Sequence, residues 1–287
     1  MNKDFINKLV WFIPNKKLRD KIKNKIRYYS ETSSGTSISD TLDYTSFCEL
    51  ASNDDDVFNT FRQNPIYTTV LEHTSYEHAQ IYLDIINKTN YFNKENFKDF
   101  TRNDLYGGAL KKEYQDIGLI TPSTLRYIKV LSDLILHFGD LSDFNICEVG
   151  IGYGGQARII MSYFKNIKSY TFIDLDPVLS LSKKYLSNFT DIKTQLNFVS
   201  ADKLEPKEYD LFISNYAFSE LKKEIQDLYI DNTIKYSKNG YITYNNTSNH
   251  SLNPYKLKEY SNFIPTNISL YDEVPLTHPE NKIIVWK

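Results

Sequence analysis

The chain has 287 residues, 41% of them hydrophobic, and a formal net charge of −2. That is enough for a substantial core in one large or two smaller domains, and the near-neutral balance excludes a global electrostatic affinity for nucleic acid. Two cysteines, Cys48 and Cys147, give no disulfide framework or zinc-ligand spacing, and no bilayer-spanning apolar run or signal-peptide pattern is present, so a reducing cytoplasm is expected.

Residues 1–29 stand apart. They carry nine Lys/Arg against Asp4 and Asp20, with an aromatic-apolar cluster from Phe5 to Ile13 before Pro14. Leu18, Ile22 and Ile26 then recur every four residues among lysines and arginines. A basic amphipathic segment of this kind suits peripheral contact with the inner face of an anionic membrane, or a solvated helix on its own domain. Nucleic acid is the poorer partner, because no nucleic-acid-binding signature accompanies the charge. Ser30 to Asp40 is small and polar and reads as a loop. Residues 30–120 form a mostly helical region, expected to serve as substrate-binding part or lid. A helix is predicted over Tyr76 to Ile86, Asn87 to Asp104 reads as polar and turn-rich, and Gly107-Gly108 punctuates the region. His73 and His78 read as surface or packing histidines, since no third metal partner accompanies them.

Residues 121–287 form the third and best-defined part. Thr121-Pro122 is a cap followed by proline at the first helical position, and Leu125, Ile128, Leu131 and Leu134 keep helical spacing until Gly139. From there strands alternate with helices. Strands are predicted at 145–149, 169–174, 196–200, 209–214, 239–245, 267–272 and 281–286. The last two read as a hairpin, which makes one edge pair antiparallel. The fold class is therefore α/β: a Rossmann-like, mainly parallel seven-stranded sheet, covered on both faces and preceded by helices.

The first of these strands leads into Glu148-Val-Gly-Ile-Gly-Tyr-Gly-Gly-Gln156, with glycines at 150, 152, 154 and 155. Strand, glycine turn and helix bring backbone N–H groups against a nucleotide-like ligand. Gly150, Gly152 and Gly155 also satisfy the GxGxxG pattern of dinucleotide-binding folds. Glu148 decides between the two, because a carboxylate suits a cationic ligand and makes a poor neighbour for a pyrophosphate. S-adenosylmethionine, with its ammonium and sulfonium, is the expected cofactor. Ligands of open α/β sheets bind beyond the carboxyl ends of the strands. Asp174 ends the second strand, where it can accept hydrogen bonds from ribose hydroxyls, and Asp176 is the alternative.

Glu-x-Gly-x-Gly-x-Gly resembles the first motif of the Rossmann-like, class I methyltransferases. More narrowly, Glu148–Gln156, Ser214-Asn-Tyr-Ala-Phe-Ser-Glu-Leu221 and Glu273-Val-Pro-Leu-Thr-His-Pro-Glu-Asn281 resemble the bacterial sugar O-methyltransferase family. The resemblance covers about half the chain, from Thr121 onward. It implies methyl transfer from S-adenosylmethionine to a sugar hydroxyl, in capsule or lipopolysaccharide synthesis. It places Ala201 and Asp202 at the adenine, Asn215 at the methionine portion and Tyr216 at the reaction centre. Arg126 would reach the cofactor carboxylate or a sugar. For the general base, His278 is the first candidate and Glu220 the second, with His250 and Glu273 at the acceptor. No carboxylate pair has convincing metal-ligand spacing, so no metal is expected. Alternatives are a methyltransferase for another small acceptor and a non-catalytic scaffold in glycan assembly.

Overall fold

A computed structural model describes residues 42–115, 117–246 and 252–287. The basic segment 1–29, the loop from Ser30 to Asp40 and His250 lie outside the described residues.

Helices dominate the first part. They are α1 (Leu42–Asn53), α2 (Asp55–Phe58), α3 (Pro65–Val70), α4 (Tyr76–Thr89) and α5 (Lys94–Thr101). The predicted helix at Tyr76 is α4: Ser75 caps it by accepting a hydrogen bond from the His78 N–H, and Asn90 in left-handed conformation ends it. The expectation of a turn-rich stretch from Asn87 to Asp104 is corrected by α5. Asn93 and Asn96 close its first turn reciprocally, and Phe97 and Phe100 anchor it to the core. Its polar composition hid a helix held by a cap and two aromatic rings. A small hairpin follows, β1 (Lys112–Tyr114) with β2 (Gly118–Ile120).

The sheet domain begins with α6 (Pro122–Phe138), capped by Thr121 and ended by Gly139 as the sequence predicts. Strands β3 (Asn145–Val149), β4 (Ser169–Asp174), β5 (Gln195–Ser200), β6 (Tyr209–Asn215), β7 (Ser237–Tyr244), β8 (Ile268–Asp272) and β9 (Lys282–Trp286) form one sheet in the order β5-β4-β3-β6-β7-β9-β8. Helices α7 (Gly155–Tyr163), α8 (Asp176–Leu186) and α9 (Lys223–Asn232) connect them. The first five strands run parallel. β8 and β9 form the expected hairpin, but β9 inserts between β7 and β8 and is antiparallel to both. Two antiparallel pairs result where one was expected. Burial explains the insertion: β9 reads Lys-Ile-Ile-Val-Trp and its last four residues are buried, whereas four of the five residues of β8 are exposed. The apolar strand takes the inner position.

Two apolar clusters cover the two faces of the sheet. One joins Ile146, Tyr170, Phe172 and Leu211 to α6, α7, α8 and the helices of residues 42–104. The other joins Cys147, Val149, Phe212, Ile242 and Trp286 to α9. The early helices therefore share a core with the sheet.

A buried ion cluster reinforces that union. Arg62, 1% exposed, donates to Glu72 (2.6 Å), Asp104 (2.9 Å) and Thr121 (3.2 Å), and lies 4.6 Å over the Tyr153 ring. Asp104 also accepts from the Thr121 N–H and the Thr124 hydroxyl. Tyr153 belongs to the glycine turn, so the early helices are tied directly to it.

Candidate active site

In the sheet order, β3 and β6 are the neighbours at which the chain's direction of progress reverses, which is where open α/β sheets form a crevice. A cavity of about 1030 Å³ lies there, lined by residues from the ends of β3, β4, β5, β6 and β7 and from the early helices.

Glu148 is placed by strand alternation. It shares its face with Ile146, and the register sets it opposite Phe172 on β4. Its carboxylate is on the cavity wall yet only 3% of the residue is exposed, and Tyr170 donates a 2.5 Å hydrogen bond to it. Burial pushes this carboxyl up to about 8. No cation of the chain faces it in an ion pair among the described residues.

Gly150, Gly152 and Gly154 all have positive φ. The reason for glycine is nearer at hand than the expected ligand. A Cβ at Gly150 would stand 2.0 Å from the Ala217 Cβ, and one at Gly152 would stand 2.6 Å from the Leu71 Cδ1. The turn is squeezed between the β6 loop and the early helices. Gly150 and Gly152 line the cavity, whereas Gly154 starts α7 and faces Leu186. Gly154, expected to bind cofactor, stands at the start of α7 outside the cavity wall.

Asp174 latches the same turn. Its carboxylate accepts from the Ile151 N–H (2.9 Å) and the Leu175 N–H (2.8 Å). Burial raises it to about 6, against the lowering effect of those amides. Asp176, at the start of α8, is exposed on the wall. Ala201 and Asp202 form a short 3₁₀ turn after β5, also on the wall. The acids thus gather along β3, β4 and β5.

The β6–β7 half carries amides, hydroxyls and one buried acid. Asn215 accepts from the Thr243 hydroxyl at 3.0 Å. Glu220 accepts from the Asn245 amide at 2.6 Å, and burial raises its carboxyl. His278 is exposed on the rim beside Thr277. Tyr216 sits at φ +67° and ψ −44°, a strained conformation for a non-glycine residue. Its N–H donates to the Thr243 carbonyl and its hydroxyl to Glu273.

Glu273 departs from the expectation. It is 4% exposed and accepts from Tyr216, the Thr277 N–H and hydroxyl, and the Asn281 amide. It is absent from the cavity wall. With its lone pairs engaged it orders the β8–β9 connection and Tyr216, rather than meeting an acceptor.

His73 and His78, expected to be surface or packing histidines, also reach the cavity, together with Thr74 and Ser75 at the start of α4 and Tyr82 further along it. The α4–α6 packing puts them beside Arg126, whose guanidinium lies 5.7 Å from the ring centres of both Tyr127 and Tyr216. Two histidines near a helix cap carried no local sign of this. Among the described residues, no group of three or more His, Cys, Asp or Glu is arranged to hold a metal.

No family model matches the sequence, and no curated protein matches it. Several solved structures are similar in fold. A Thermoplasma acidophilum protein, number 1320, is 17% identical over 57% of this chain and 88% of its own, with a TM-score of 0.39. Human N-acetylserotonin methyltransferase, solved with S-adenosylmethionine, is 18% identical over 56% of this chain and 52% of its own, at 0.41. The pyocyanin biosynthetic protein PhzM is 13% identical over 57% of this chain and 56% of its own, at 0.40. The chain spans about half the length of the latter two.

Proposed function

We propose that this protein is an S-adenosylmethionine-dependent O-methyltransferase acting on a sugar hydroxyl in bacterial surface-glycan synthesis. The observation that carries the reading is Glu148, a buried carboxylate on the wall of a large cavity with no ion-pair partner among the described residues. The wall suits this cofactor in a second respect. The Gln156 Oε1 is buried without a hydrogen-bond partner, while its amide donates to the Tyr127 carbonyl, so a ligand N–H would satisfy it.

When bound, S-adenosylmethionine supplies an electrophilic methyl group for in-line displacement. Glu148 balances the ammonium charge and Gln156 accepts from it. Asp174 and Asp176 serve the ribose hydroxyls, with Ala201 and Asp202 at the adenine and Asn215 at the methionine portion. Tyr216, held by Glu273, walls the reaction centre. A neutral hydroxyl needs its proton taken as the bond forms. Glu220 is the better-placed base: its carboxyl is raised by burial and fixed by Asn245. His278 on the rim is the second.

Two features support a sugar as acceptor. The segments that resemble the sugar O-methyltransferase family, Ser214–Leu221 and Glu273–Asn281, meet through Tyr216 and Glu273 beside the cavity. The β6–β7 half of the wall is rich in amides and hydroxyls, which suits a polyhydroxy acceptor. Residues 1–29 would hold the enzyme at an anionic membrane surface. Equal sedimentation with anionic vesicles by chains with and without that segment would remove that part. No helix of the described residues is long and apolar enough to cross a membrane.

The central test is calorimetric titration with S-adenosylhomocysteine and with NAD, followed by methyl transfer to a panel of nucleotide-linked sugars. Binding of the first ligand, no binding of NAD and turnover on a sugar are expected. NAD binding without S-adenosylhomocysteine binding would reject the reading.

A further inference from the structure

Arg126 is the one arginine on the cavity wall among the described residues, and the cofactor contacts proposed above do not use it. It is the fifth residue of α6 and lies on the cavity wall. Among the described residues no acid lies within ion-pair distance of it, although Arg62, Arg102, Arg158 and six lysines all have one. Its neighbours are aromatic: the rings of Tyr127 and Tyr216 bracket it at 5.7 Å each. Glu72, the carboxylate whose charge acts on it, is already bound to Arg62 at 2.6 Å.

The surrounding wall has donors and no acids of its own. His73, Thr74, Ser75 and His78 line the cavity where α4 begins, and the Thr74 hydroxyl is buried without a hydrogen-bond partner among the described residues. His73 is exposed on the cavity wall; partial desolvation by its surroundings, and then the positive charge of Arg126, lowers its pKa, which keeps the ring neutral and able to donate. The first turn of the fourteen-residue α4 adds its dipole to the same side. The acids of the cavity lie elsewhere, along β3, β4 and β5. An unneutralised guanidinium in a half-buried wall is costly unless an anion joins it.

We propose that Arg126, with His73 and Thr74, binds an anionic group of the methyl acceptor, either a phosphate, as in a nucleotide-linked or phosphorylated sugar, or the carboxylate of an acidic sugar. The proposal rests on the methyl-transfer reading for the word acceptor, but the anion site stands on the wall chemistry alone. A guanidinium meets phosphate and carboxylate oxygens in the same bidentate way.

The test uses the full chain and two probes, inorganic pyrophosphate and glucuronate, titrated with and without saturating S-adenosylhomocysteine. At least one probe should bind to the wild type in the presence of S-adenosylhomocysteine. Its affinity should fall about tenfold or more in Arg126→Gln, and less in Arg126→Lys, because the charge-assisted pair is lost in the first and weakened in the second. His73→Ala should weaken the probe about threefold, the loss of one neutral hydrogen bond. S-adenosylhomocysteine affinity should stay within about threefold in all three variants. Preference for pyrophosphate over glucuronate would identify a phosphorylated acceptor, and the reverse an acidic sugar. The proposal is overturned if neither probe binds, or if Arg126→Lys and Arg126→Gln lose S-adenosylhomocysteine while the probes are unaffected, which would give Arg126 to the cofactor's own carboxylate. Failure of S-adenosylhomocysteine to bind the wild type would reject the methyl-transfer reading separately, since pyrophosphate binding is read without it.

Discussion

The Tyr216 hydroxyl donates to the buried carboxylate of Glu273, joining the turn after β6 to the connection between β8 and β9. Tyr216 is held at positive φ and its ring lies 5.7 Å from the Arg126 guanidinium, so the bond positions the cavity wall that the proposed function gives to the reaction centre. Tyr216→Phe should therefore lower kcat about tenfold, with stability reduced by about 1 kcal/mol and S-adenosylhomocysteine affinity unchanged. Transfer kinetics and thermal unfolding check this. An unchanged kcat would reduce the bond to a loop fastener.

The buried acids make stability and binding pH-dependent in opposite directions. Burial raises Glu148 from 4.5 to about 8 and Asp174 from 3.8 to about 6. A carboxyl raised on folding binds more protons in the native than in the unfolded chain. Its contribution is complete below the unfolded value and is lost as pH rises through the folded value. These two groups should thus lower stability progressively between about pH 4 and pH 8. A cation beside Glu148 favours its ionised form, so S-adenosylhomocysteine, through its ammonium, should bind more tightly as pH rises toward 8 and release a proton near pH 7. Calorimetry in buffers of different ionisation heat measures the release, which Glu148→Gln should abolish. No release from the wild type would separate Glu148 from the ligand.

Gly150 and Gly139 share positive φ but differ in surroundings. A Cβ at Gly139 meets nothing within 4 Å, whereas at Gly150 it meets Ala217 at 2.0 Å. Gly150→Ala should cost at least ~2 kcal/mol more than Gly139→Ala in chemical denaturation, since strain is common to both and the clash to one. Equal costs would mean that the Ala217 loop yields freely.

Arg62→Leu removes the partner of two buried acids, Glu72 and Asp104. A loss of about 3–5 kcal/mol is expected, because the remaining charges stay in the core. Urea denaturation measures it. A loss below about 1 kcal/mol would show that water reaches the cluster.

The two base candidates separate by rate. Glu220→Gln should lower kcat by about 10²–10⁴ and leave S-adenosylhomocysteine affinity intact, while His278→Ala should cost about tenfold or less. The reverse order would move the base to the rim.

Much of this was legible in the sequence because it is local. Apolar runs bounded by turn residues located all seven strands of the main sheet, and Thr121-Pro122 and Gly139 marked α6 at both ends. Glu148, Asp174 and Asp202 fell on the wall because a parallel strand delivers its last residues to one edge of the sheet. What escaped depends on contacts between distant segments. His73 and Thr74 join the site only because α4 packs on α6, and Arg62 is buried only because Asp104 and Tyr153 come to it. Glu273 read as an acceptor ligand because its sequence neighbourhood cannot show that Tyr216, Thr277 and Asn281 occupy it.

The clamp of Arg62 onto Tyr153 bears on how such a protein could diversify. The half of the cavity proposed for the methyl donor belongs to the strands, and part of the opposite wall to the start of α4. A lineage could retune its acceptor by recombining the early helices, provided each graft carried Arg62, Glu72 and Asp104 together. A mosaic that inherited only the arginine, or only its acids, would strand a charge beneath the glycine turn and be purged before any new specificity could be selected.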